Sequence, residues 1–112
     1  MTNSRFEVSA REENGSLTLS IRGEVDMESS PRVLQAIREG LSRARGLNLD
    51  LREVDYIDSS GIAVLIQGLK IARRRNSEYP YVLRDVSPQV LSVIELSQLV
   101  ELFDFETTEG EG

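Results

Sequence analysis

The feature that most constrains the fold is the way the spacing of apolar residues alternates along the chain. After an opening hairpin, segments with an apolar residue at every second position alternate with segments in which apolar residues recur every three or four positions. The first spacing is typical of strands and the second of amphipathic helices. The predicted order is therefore α-β-α-β-α-β, which favours an α/β fold with a largely parallel sheet behind the N-terminal hairpin.

The predicted strands are short alternating runs bounded by turn residues. They cover residues 6–10, 17–21, 47–51 and 79–83, and residues 100–105 form a last strand or helical turn. Glu13-Asn14-Gly15 between the first two is a hairpin signal. Pro80 confines its strand to a sheet edge or occupies the strand's first position.

Three helices are predicted from apolar residues at helical spacing. The first begins with Ser30 as N-cap and Pro31 in the first turn, and it ends before Gly46. The second follows a turn at Ser59-Ser60-Gly61, and the third opens at Ser87-Pro88. Arg73-Arg74-Arg75 falls at the end of the second helix, where cations complement the helix dipole; a partner-docking patch is the alternative interpretation.

The length of 112 residues predicts one domain spanning 1–112, with a folded core at about 5–105 and an acidic, disordered tail at 106–112. The longest apolar run, residues 62–66, is too short to cross a bilayer, and the N-terminal residues lack the pattern of a secretory signal. We therefore expect a cytoplasmic protein without membrane insertion. Oligomeric state is not encoded in these patterns, and a monomer is the default.

Composition excludes several kinds of chemistry. The chain has neither Cys nor His, so it cannot form a thiolate metal site or a His-dependent catalytic triad. No phosphate-binding glycine loop is present. Asp55 and Asp58 could suggest general acid–base catalysis, but in a strand two residues three positions apart are expected to point to opposite faces, so a shared site is not expected. A net charge of -6 argues against direct nucleic-acid binding. We expect no metal, no cofactor and no enzymatic activity.

The segment Asp58-Ser59-Ser60-Gly61 concentrates an acid and two hydroxyls between a strand and a helix. One interpretation is structural, because Asp and Ser side chains accept hydrogen bonds from the free N–H groups of a first helical turn. The other is a covalent charge switch. A phosphate on serine adds about -1.5 to -2 charges, which a helix N-terminus tolerates and a closely packed partner does not.

The residues around this segment resemble a known family. VDYIDSSGIAVL at 54–65, preceded by LNLDL at 47–51, is similar to the signature strand, loop and helix of STAS domains, particularly the bacterial anti-sigma factor antagonists. IRGEVD at 21–26 resembles the family's G-E-[LV]-D segment, and residues 86–99 resemble its S-P helix and closing segment. Where members often carry S-G-L, this chain has Ser97-Gln98-Leu99, so the end of the third helix is left open.

The resemblance implies a phosphorylation-controlled partner switch. The unphosphorylated protein would bind a serine-kinase anti-sigma factor and release a sigma factor; phosphorylation of Ser59 would end that binding, and a PP2C-type phosphatase would reset it. Asp26, Asp58, Ser60 and Gly61 match positions around the modified serine and are candidate partner contacts, with capping and loop solvation as the alternative for both acids. The second hypothesis is a STAS subunit that stabilises a lipid-trafficking ABC transporter.

Overall fold

A computed structural model describes residues 6–108, in which five strands and three α-helices follow the predicted order. The strands are β1 (Glu7–Glu13), β2 (Ser16–Val25), β3 (Gly46–Ile57), β4 (Tyr81–Arg84) and β5 (Asp104–Glu106). The helices are α1 (Ser30–Arg43), α2 (Ser59–Arg75) and α3 (Pro88–Leu96), and a single 3₁₀ turn at Val100–Leu102 precedes β5.

The strands are arranged in the sheet in chain order, from β1 to β5. β1 and β2 form the predicted antiparallel hairpin, whereas β2–β3, β3–β4 and β4–β5 are parallel pairs. The hairpin turn has Asn14 at φ 52° and Gly15 at φ 88°, the left-handed pair that a two-residue hairpin turn requires. The predicted α/β class with a mixed sheet is confirmed.

One face of the sheet is covered and the other is open. Because successive parallel strands are neighbours, right-handed crossovers place all three helices on the same face. The strand residues on that face are apolar and buried: Leu17, Leu19, Ile21, Leu47, Leu49, Leu51, Tyr81 and Leu83. The open face is polar, and Arg84 on it pairs with Glu106 at 3.1 Å. The amphipathic alternation that predicted the strands therefore reflects a single covered face.

β3 is longer than the sequence predicted, since it runs without interruption through residues 52–57. The alternation is lost there because the pairing with β2 shifts register between Ser20 and Arg22 and again between Gly23 and Glu24. These irregularities put Val54 and Ile57, three residues apart, on the buried face. The extra length carries β3 directly to the start of α2.

The predicted disordered tail is wrong for its first residues. Glu106 belongs to β5, and the Thr108 N–H donates to Asp85 Oδ1 at 2.7 Å. Burial opposes ionisation of Asp85, but hydrogen bonds from Thr108 and Arg52 outweigh it and lower the pKa of that carboxyl to about 2. The Asp85 side chain is only 6% exposed, so its carboxylate depends on these hydrogen bonds, and they attach Thr108 to the folded domain. Residues 109–112 lie outside the described range.

Two of the three arginines at the end of α2 bind within the chain. Arg73 Nη2 lies 3.5 Å from Asp104 Oδ2, and Arg75 Nη1 donates to the carbonyl of Leu41. Arg74 is exposed. Within residues 6–108, no helix combines the length and apolarity needed to cross a membrane.

Candidate functional site

The start of α2 and the loop before α1 lie side by side at one edge of the sheet. Val25 at the end of β2 pairs with Ile57 at the end of β3, and the Asp58 N–H donates to the Val25 carbonyl at 3.2 Å. The carboxyl ends of adjacent parallel strands meet at the same edge, the usual place for binding sites in such sheets. Residues 26–30 and 58–61 directly follow these two strand ends and are therefore neighbours at this edge.

Asp58 caps α2. Its backbone is extended, and its Oδ1 accepts hydrogen bonds from the N–H of Ser60 at 2.8 Å and of Gly61 at 3.2 Å. The predicted turn at residues 59–61 is wrong, because this cap allows the helix to begin at Ser59 directly after the strand. The structural interpretation therefore accounts for Asp58.

Ser59 is the first residue of α2 and is exposed. Among residues 6–108 its hydroxyl finds no hydrogen-bond partner, since the capping bonds are made by the neighbouring Asp58. Ser60 is half-buried, and its N–H is one of those that Asp58 accepts. Neither hydroxyl has a hydrogen-bond partner among residues 6–108, so the two serines of the motif differ in exposure: Ser59 is exposed at the helix N-terminus and Ser60 is half-buried.

Gly61 is buried against the ends of β2 and β3. A Cβ added to it would lie 2.5 Å from Ile57 Cγ1 and 2.8 Å from the Val25 carbonyl oxygen. Its φ is not left-handed, so the glycine is needed for close approach and not for a sharp turn. Gly61 fixes how closely α2 packs on the sheet, and its backbone is covered by the protein itself.

Asp26 organises the loop before α1. Its Oδ1 accepts hydrogen bonds from the N–H of Ser29 and of Glu28, both at 3.0 Å, and the Ser29 bond is the main reason that the pKa of Asp26 is lowered. The Ser29 hydroxyl donates to the Glu24 carbonyl at 2.7 Å. Ser29, not the predicted Ser30, is the N-cap residue of α1, because the loop closes one residue earlier.

Sequence reasoning missed Met27 and Tyr56. Met27 lies in the loop that Asp26 holds and is 75% exposed, and Tyr56 near the end of β3 is half-exposed. The signal for Met27 was a single apolar residue in the polar run Asp26 to Ser30. Both side chains add exposed apolar surface to the edge around Ser59, and protein partners bury surface of this kind.

The charge of this edge is negative. Its exposed or half-exposed acids are Glu24, Asp26, Glu28, Asp55 and Asp58. Neither residues 23–30 nor residues 53–66 include Lys or Arg. Within residues 6–108, no group of three or more His, Cys, Asp and Glu is arranged to hold a metal ion. The arrangement presents a hydroxyl on an acidic surface, at a helix N-terminus.

Comparisons with known proteins agree with this geometry. The sequence model of the family described as "Mlab, STAS domain" matches residues 8–104. An anti-sigma-B factor antagonist of Listeria monocytogenes is 31% identical over 100 residues, which cover 85% of this chain and 82% of the relative.

Solved structures share the fold. A crystal structure of an anti-sigma factor antagonist from Mycobacterium paratuberculosis superposes with a TM-score of 0.82 at 23% identity, covering 92% of this chain and 86% of the other. The structure of the Bacillus cell fate determinant SpoIIAA in its phosphorylated form gives a TM-score of 0.68 at 15% identity, covering 95% and 93%.

Proposed function

Since this chain belongs to the STAS domain family, we propose that it is an anti-sigma factor antagonist that acts as a phosphorylation-controlled partner switch. In its unphosphorylated form it binds an anti-sigma factor that is also a serine kinase, so that a sigma factor is released. Phosphorylation of Ser59 ends this binding, and a PP2C-type phosphatase restores it.

The observation that carries this proposal is the environment of the Ser59 hydroxyl. It is exposed and makes no hydrogen bond within residues 6–108, so a kinase can reach it without unfolding the domain. The relatives also support a phosphorylated antagonist, because one is named an anti-sigma-B factor antagonist and one structural neighbour is described as a phosphorylated form.

Charge gives the switch its physical basis. In the free protein a phosphate on Ser59 lies at the positive end of the α2 dipole, which stabilises an anion. In a complex, the same phosphate adds about -1.5 to -2 charges beside Asp58 and must be desolvated. The phosphate therefore costs less free energy in the free protein than in the complex. Phosphorylation lowers the binding free energy by the difference between these two costs.

In this cycle the protein is a substrate of the kinase and not an enzyme. Phosphoryl transfer is performed on Ser59 by the kinase, which binds the ATP, and no cofactor is needed in the antagonist. Because the kinase partner uses ATP, we propose that the cycle takes place in the cytoplasm. Within this proposal Met27 and Tyr56 are apolar contacts, and Asp26 holds the loop that carries Met27.

The site assignment is tested by incubating the chain with its cognate kinase and labelled ATP. We expect one phosphate per chain in the wild type and in Ser60→Ala, the matched control at the neighbouring hydroxyl, and none in Ser59→Ala. Label that persists in Ser59→Ala would remove Ser59 from the account.

The second candidate is a STAS subunit that stabilises an ABC transporter for lipids. The matching family model, described as "Mlab, STAS domain", is the observation that favours it. Co-purification of the tagged chain with a transporter ATPase, together with no binding to a kinase-type anti-sigma factor, would favour this candidate over the first.

A further inference from the structure

The end of α3 forms a second surface with exposed apolar side chains, apart from the edge around Ser59. Leu96, the last residue of α3, is 84% exposed, and Val100 in the following 3₁₀ turn is also exposed. Beside them is an open groove of about 410 Å³ lined by Glu95, Gln98, Val100 and Glu101. Apolar side chains next to a groove are typical of a surface that another protein covers.

The backbone that forms this groove has an unfavourable conformation. Gln98 has φ 62°, in the left-handed region, and the Leu99 N–H donates to the Ile94 carbonyl at 3.0 Å, which closes the end of α3. Glycine adopts this conformation without steric cost, whereas glutamine does not. The glutamine at this position contributes a polar side chain to the groove that glycine lacks.

The charges of the groove indicate what kind of partner fits it. Among residues 6–108, Asp104 pairs with Arg73 and Glu106 with Arg84, but the carboxylates of Glu95 and Glu101 have no ion-pair partner. A second copy of this chain related by a two-fold axis would bring the same two carboxylates against themselves. A partner with positive side chains next to apolar ones matches both the unpaired acids and the exposed Leu96.

We propose that this surface, formed by Glu95, Leu96, Gln98, Val100 and Glu101, binds an amphipathic, positively charged segment of a partner protein. It is separate from the Ser59 edge, because Ser59 begins α2 while Arg73, in the last turn of α2, contacts Asp104 in β5. A helix of this length, 17 residues, spans about 25 Å. Binding here is therefore independent of phosphorylation, and the domain can hold two partners at opposite ends.

The test is a titration of ¹⁵N-labelled protein followed by NMR, with two 14-residue amphipathic peptides as probes. One carries Leu on one face and Lys on the other, and the second has Glu in place of each Lys. We expect saturable shifts at the amides of residues 95–101 with the basic peptide only. Leu96→Ser should weaken binding by about tenfold or more, as expected for loss of a buried leucine.

Gln67→Ala is the control, since it removes an exposed side chain of α2 that belongs neither to this surface nor to the Ser59 edge. It should leave the affinity for the basic peptide unchanged, and so should Ser59→Asp. Equal shifts with both peptides, shifts centred on residues 26–30 or 58–61, or no shifts at residues 95–101 would overturn the proposal. Self-association of the chain that Leu96→Ser abolishes would identify a second copy as the occupant and would overturn it too.

Discussion

The beginnings of α2 and α3 use the same residue type for opposite purposes. Ser87, the N-cap residue of α3, is buried, and its hydroxyl donates to the Val54 carbonyl of β3 at 2.8 Å. Ser59 at the start of α2 is exposed, and its hydroxyl makes no such bond within residues 6–108. One serine attaches its helix to the sheet, while at the other helix Asp58 does the capping and the serine hydroxyl is left free.

This difference indicates which serine a kinase can modify in the folded protein. A phosphate on Ser87 would have to replace a buried hydrogen bond and enter the core, so it would unfold the start of α3. A phosphate on Ser59 requires neither change. The spacing of apolar residues does not separate the two positions, because each is a serine at the start of a predicted helix; only the resemblance of residues 54–65 to the STAS signature points to Ser59.

Among the variants of these two helix starts, Gly61→Ala is expected to lose the most stability. Replacing Gly61 by Ala places a Cβ against Ile57 and the Val25 carbonyl oxygen, so α2 must move away from the sheet. Overpacking of this kind outweighs the better helix propensity of alanine, and we expect a net loss of about 3 kcal/mol in the free energy of unfolding. Urea denaturation measures it.

The control for Gly61→Ala is Gln67→Ala, at an exposed position of the same helix. It should change the free energy of unfolding by less than about 0.5 kcal/mol. If Gly61→Ala is as stable as the wild type, the close approach of α2 to β2 and β3 is not a constraint on the site.

The next effect compares the two serines directly. Ser87→Ala removes a buried donor and leaves the Val54 carbonyl without that partner, so we expect a loss of about 2 kcal/mol. Ser59→Ala should stay within about 0.5 kcal/mol of the wild type, because its hydroxyl has no bond to lose. Equal losses in the two variants, measured by thermal or urea unfolding, would erase the distinction between the two helix starts.

A smaller effect is expected at the cap of α2. Asp58→Ala removes the acceptor for the N–H groups of Ser60 and Gly61, which costs about 1 kcal/mol. Asp58→Asn keeps an acceptor oxygen and should lose clearly less stability. If the two variants unfold at the same denaturant concentration, the cap is not the source of the stability of this helix start.

The smallest change in stability is expected for Ser59→Asp, which tests whether the folded domain tolerates a negative charge at this position. Ser59→Asp places a negative charge at the first residue of α2, where the helix dipole favours it, although the nearby Asp58 opposes it. We expect the free energy of unfolding to stay the same or to rise by a few tenths of a kcal/mol at most, so the melting temperature should not fall. A marked fall in melting temperature would mean that the domain itself does not tolerate charge at this position.

Much of the fold could be predicted because a single covered sheet face produces a regular pattern. The residues of β2 alternate cleanly, with Leu17, Leu19 and Ile21 facing the helices, and the Asn14-Gly15 turn fixes the hairpin. The second half of β3 could not be predicted in this way. Its register shifts against β2 place Val54 and Ile57 on the same side, and such shifts depend on the partner strand, not on local sequence.

The site was predicted in part. The motif predicted Ser59 as the modified residue, which stays a prediction, but the structural roles of its neighbours depend on contacts between distant segments. Gly61 is needed because Val25 lies against it, and Asp26 positions its loop through bonds to Ser29 and Glu28. The prediction that Asp26, Asp58, Ser60 and Gly61 contact a partner stays a prediction, with buried Gly61 best explained by packing.

Isothermal titration calorimetry of the wild type, Ser59→Ala and Ser59→Asp against a kinase-type anti-sigma factor decides whether charge at Ser59 controls partner binding. All three proteins should be equally folded. We expect tight binding by the wild type and Ser59→Ala, and loss of at least about 1.4 kcal/mol of binding free energy, or tenfold in affinity, in Ser59→Asp. Equal binding by all three forms would contradict a switch at Ser59.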